Sequence, residues 1–121
     1  MISYQSVMLF IAAAGLIVPP QEIGEGFSYE QIQAMMNTVW RIDGTEPFFV
    51  MRSAEIPRVS SEIPYHAAAL LMIDDTFRII DYEIRTYQMW WKVRVISGEY
   101  THASGYVANA WLQEWCERAD E

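Results

Sequence analysis

Two histidines, His66 and His102, and one cysteine, Cys116, are the residues of this 121-residue chain best suited to acid–base, nucleophilic or soft-ligand chemistry. Neither histidine has a cysteine or carboxylate at the local spacing of a metal site. No GxSxG, HExxH, CxxC or phosphate-loop pattern occurs. Asp74-Asp75 and Glu83 resemble a carboxylate pair on paper. A turn and a solvated strand face account for them more simply. Cys116, between Trp115 and Glu117, reads as a small semi-buried apolar residue rather than a reactive thiol. A single thiol makes no intrachain disulfide, so the fold does not depend on oxidation. The expectation is therefore a non-enzymatic protein with no catalytic residue, no metal and no cofactor.

Binding is the chemistry that the composition favours. Aromatic residues are 14% of the chain, and several fall near expected loops or on outward positions. Tyr65, Tyr87, Trp90, Tyr106 and Trp111 are the candidate ligand- or partner-binding residues, with Tyr100 beside them. Aromatics so placed build a groove for peptide or sugar, or an interface hot spot. The competing reading is that they pack over the ends of the fold. The formal net charge of −8 opposes a phosphate backbone, so nucleic acid is not an expected partner. Lys92 and seven arginines are scattered, with no run that suits an anionic membrane.

The elements that must position these residues begin with an apolar run, Val7 to Val18, closed by Pro19-Pro20. It is shorter than the roughly 20 residues of a membrane span. It has the hydrophobicity of a signal peptide, but no basic residue precedes it. Three readings stand: a segment buried in its own core or on a partner, an uncleaved membrane anchor, or a domain-swapped arm. Residues 19–27 read as a linker. Ser28 and Gln31 form a capping-box pattern, with Phe27 and Ile32 placed for a hydrophobic staple. Tyr29, Ile32, Met35, Met36 and Val39 then recur at helical spacing, and Asp43-Gly44 ends the segment.

From Pro47 the period shifts toward two. Phe48 to Met51 reads as a strand, residues 53–66 as a long irregular loop, and Leu70 to Ile73 as a short strand. Asp74-Asp75 is a turn. Thr76 to Tyr87 is rich in β-branched and aromatic residues, and its alternation slips at Ile79-Ile80, which predicts a bulge or bend. Trp91, Val93 and Val95 alternate with Trp90, Lys92 and Arg94, so the first set faces the core. Ser97-Gly98 turns the chain and Gly105 to Ala108 is a last strand. Asn109 to Trp111 leaves room for one helical turn. Trp91, Val93, Val95 and Val107 are the expected core, and Gly105 permits a close backbone approach. The expected class is mainly β.

This order of residues resembles the bacterial SH3-like (SH3b) domain over about residues 47–112. The resemblance rests on Val50-Met51-Arg52-Ser53, on Trp90-Trp91-Lys92-Val93-Arg94-Val95, and on Gly105-Tyr106-Val107 with Ala110-Trp111-Leu112. The family's usual first strand reads FVMR here, and the following loop is longer. The resemblance implies a small SH3-like barrel, to which the preceding residues add an N-terminal apolar segment and one amphipathic α-helix. The expected divisions are 1–46 for the apolar segment, linker and helix, 47–113 for the barrel and 114–121 for an acidic tail. It also implies docking rather than catalysis. The expected role is a structural subunit of a larger assembly, such as a virion or an envelope complex. Its partners would be other protein subunits, met through residues 1–40. The alternative is an envelope-associated module that binds a cell-wall peptide or protein.

Overall fold

The computed structural model describes residues 21–120. The readings for Val7–Val18 and Pro19-Pro20 lie outside the described residues. The chain is mainly β, as its alternating segments require. Two short strands, β1 (Glu22–Gly24) and β2 (Phe27–Ser28), pair as a ribbon. This replaces the linker expected up to residue 27. Glu25 and Gly26, at φ of 48° and 83°, make the reversal.

Helix α1 (Tyr29–Met35) starts as expected. The Gln31 amide donates to Ser28 Oγ at 3.3 Å, and the Ser28 amide donates to Gln31 Oε1 at 2.8 Å. The expected apolar stripe ends early. Asn37 turns left-handed at φ 66°, and Thr38 Oγ1 donates to the Met35 carbonyl at 2.6 Å. Val39 therefore begins strand β3 (Val39–Ile42) instead of a further helical turn. Tyr29 is exposed, while Ile32 is fully buried and Met35 and Met36 pack on the core.

The remaining strands are β4 (Phe48–Met51), β5 (Ala67–Leu71), β6 (Thr76–Arg85), β7 (Gln88–Val95), β8 (Ser104–Ala108) and β9 (Cys116–Arg118). A 3₁₀ helix, Ser60–His66, ends the loop expected to be irregular throughout. β5 starts and stops earlier than Leu70–Ile73, because Met72 and Ile73 belong to the Asp74-Asp75 turn. There the Met72 amide donates to the Asp75 carboxylate at 2.9 Å. Helix α2 (Asn109–Trp115) has seven residues, two turns where one was expected. The acidic end is not a simple tail: β9 pairs with β3, matching Ile42 with Cys116 and Trp40 with Arg118.

Seven strands form one antiparallel sheet in the order β5-β4-β8-β7-β6-β3-β9. The sheet is open, with β5 and β9 at its ends, and is not closed into the barrel that the resemblance implies. Both β3 and β9 belong to it, so divisions at 46–47 and 113–114 do not separate distinct bodies. The β6–β7 register shifts between Ile79 and Asp81, the bulge expected from the alternation. Trp91, Val93, Val95 and Val107 lie in the main core. There Phe27 meets Trp91 edge-on at 5.4 Å, and Phe48 stacks on Phe77.

Gly105 is where β8 crosses closest to β4 and β5. A Cβ there would stand 2.7 Å from Val50 Cγ1 and 3.3 Å from Ala68 Cβ, and would meet the Met51 carbonyl oxygen. Backbone cannot swing aside as a side-chain tip does. Gly105→Ala is expected to destabilise the fold by about 1–3 kcal/mol through overpacking. Urea unfolding should show a lower midpoint at unchanged slope; an unchanged midpoint would contradict the close crossing.

Candidate binding groove

Two tryptophans of α2, Trp111 and Trp115, stand four residues apart and therefore on one side of the helix. Opposite them run the end of β3, the loop after it, and the start of β4. Together with Ile63 of the 3₁₀ helix they enclose a groove of about 570 Å³. Pro47, Phe48, Phe49, Ile63 and the two tryptophans supply apolar walls, and Glu46 is the one charged residue among the described residues of the lining. The volume is that of a ligand pocket rather than a packing defect.

The groove is held by specific contacts. The Asp43 amide donates to the Trp115 carbonyl at 2.9 Å, tying the loop to the end of α2. Gly44 lies under the Trp115 ring, where a Cβ would be 3.4 Å from its nearest carbon. Trp111 meets Trp90 edge-on, with ring centroids 5.6 Å apart. Trp90 is 1% exposed and packs with Met51, Ala54 and Ala108.

Of the residues nominated from sequence, Trp111 lines the groove. Trp90 is corrected from a binding residue to a support, since its ring is sealed beneath Trp111. Alternation had placed it outward, but the sheet is covered on that face too. Tyr106 is half-buried against the same cluster. Tyr65, 77% exposed, lies in the last turn of the 3₁₀ helix, and Tyr87, 62% exposed, sits at the β6–β7 turn. Neither lines the groove. Glu46, Phe49, Ile63 and Trp115 were not nominated. The Trp111–Trp115 spacing was the available signal, and it becomes legible once α2 is given its second turn.

The groups that resembled chemistry have structural occupations. The Asp75 carboxylate holds its own turn, and Glu83 pairs with Arg85 at 2.6 Å. Among the described residues no three His, Cys, Asp or Glu converge on a metal position. No described helix is long and apolar enough to cross a membrane. Cys116, paired with Ile42 across the β3–β9 ladder, is buried, and burial, with the Asp43 carboxylate adding to it, pushes its thiol up to about 12.

Two outcomes follow from these placements. Trp90→Ala should cost about 3–5 kcal/mol, as large buried aromatics do, whereas Tyr87→Ala should stay within about 0.5 kcal/mol. Equal denaturation midpoints for the two variants would contradict the burial of Trp90. Cys116 ionises more readily unfolded than folded. Its contribution is therefore present below the ordinary thiol value near 9.0 and is lost as pH rises toward 12. Unfolding followed between these limits should show stability falling more steeply for the native chain than for Cys116→Ala. Parallel curves would rule the burial effect out. Comparison with known proteins finds no matching family model, no matching curated protein and no matching solved structure.

Proposed function

We propose that this chain is a non-enzymatic docking module that serves as a structural subunit of a larger protein assembly. The observation that carries the reading is the open aromatic groove between α2, the 3₁₀ helix and the β3–β4 loop. Its walls leave Trp115 40% exposed, Phe49 half-buried and Pro47 exposed. Interfaces concentrate their energy in such tryptophans set in apolar surroundings. An assembly such as a virion or an envelope complex fits the apolar Val7–Val18 run, whose sequence asks for an apolar environment.

Residues 1–40 remain the partner surface expected from the sequence, and the groove adds a second one. Within the described part of that range, Ile32, Met35 and Met36 of α1 pack on the chain's own core, while Tyr29 is exposed. The resemblance to bacterial SH3-like domains, carried by the Trp90–Val95 and Gly105–Val107 segments that lie side by side as β7 and β8, supports docking as the role. The open sheet departs from that family's closed barrel.

A photo-crosslinking phenylalanine derivative placed at Trp115, in the organism that expresses the chain, tests the assignment. One dominant protein adduct is expected from position 115 and little from position 87. No adduct, or equal adducts from both positions, would defeat the groove as the docking surface.

A further inference from the structure

The charges around the groove are one-sided. Glu46 is in its wall, and Asp43, Glu62 and Glu114 adjoin lining residues Ile42, Gly44, Ile63 and Trp115. Among the described residues none of these carboxylates is ion-paired. Arg41, the one basic residue next in sequence to a described lining residue, is held by Glu117 at 2.9 Å. Among the described residues no Lys, Arg or His lines the groove.

We infer that the groove takes a linear segment of a partner protein that carries an arginine or lysine beside apolar side chains. This rests on the docking reading and specifies its ligand. Three parts of the site match three parts of such a segment. Trp111, Trp115 and Phe49 offer aromatic faces, which attract a guanidinium or ammonium group through the ring quadrupole. Glu46 supplies a carboxylate for a charge-assisted hydrogen bond. Pro47, Phe48 and Ile63 give apolar surface that a hydrophilic cation alone would leave in water. The net charge of −8 adds a long-range attraction for basic partners and repels acidic ones. A second copy of this chain brings the same negative charge, which disfavours it as the occupant.

The test selects a random peptide library, displayed on phage, against the full chain. The strongest peptides are synthesised and their affinities measured by fluorescence anisotropy. Selected peptides should be enriched in Arg or Lys next to apolar residues relative to the unselected library. Trp115→Ala should weaken them about tenfold or more, the effect of losing one interface tryptophan. Glu46→Lys should also weaken them, and binding should decline as added salt screens the rim. Glu46 is exposed, so that variant remains informative if Trp115→Ala unfolds. Groove-dependent peptides without basic enrichment would overturn the cationic segment while leaving docking intact. Peptides indifferent to both variants would overturn docking at the groove as well. A dimer of the free chain that Trp115→Ala dissociates would name a second copy as the occupant and overturn the inference.

Discussion

Adjacent residues in a strand point to opposite faces, and in β7 the two neighbours are Trp90 and Trp91. Both rings must leave water, so both faces of the sheet must be covered. Trp91 lies in the main core, where Phe27 of the N-terminal ribbon meets its ring. Its indole N–H still needs an acceptor and finds Asn109 Oδ1 at 3.0 Å. The Asn109 amide donates in turn to Glu25, whose other carboxylate oxygen accepts from the Met89 amide at 2.6 Å. One buried indole thus sets the start of α2 and ties the β1–β2 turn to β7. Trp90 makes the corresponding demand on the other face, where Trp111 meets it. The groove is the outer surface of that cover.

Sequence shows half of this arrangement. The alternation of Trp91, Val93 and Val95, the slip at Ile79-Ile80 and the Ser28–Gln31 capping box are local features, and local features survive folding. Gly105 was legible because a small residue inside a strand marks a close approach. Trp90 was misread because a period of two assigns one face to solvent, and its covers come from residues 49–63 and 106–111. Helix α1 was read too long because Val39 continued its spacing by coincidence, while Asn37 and Thr38 ended it. Strand β9 was hidden by Glu117 and Arg118, whose charges belong to an edge strand. The groove is assembled from segments distant in sequence, and so only Trp111 of its lining was nominated.

The acidic character of the chain is distributed with effect. The ion pairs Arg41–Glu117, Arg85–Glu83 and Arg118–Asp120 are all partly exposed, and such pairs add little to stability. Arg41–Glu117 crosses from β3 to β9, Arg118 lies over the Trp40 ring at 5.8 Å, and Asp120 accepts from the Val39 amide at 3.1 Å. Arg41 and Arg118 are thereby engaged, and Glu46 is the charged residue in the groove lining among the described residues.

The position of β8 also governs how this chain emerges during synthesis. β4 with β5, and β6 with β7, are hairpins complete by residue 95, but β8 lies between β4 and β7 in the sheet. Until residues 104–115 leave the ribosome, the hairpins have no strand to join them and Trp90 has no Trp111 above it. At synthesis rates of roughly 5–20 residues per second, the interval in which the 20 residues from 95 to 115 are added is about one to four seconds. During it the nascent chain presents the bare indole of Trp90 beside an edge of β7 that awaits its neighbour, the combination that invites aggregation.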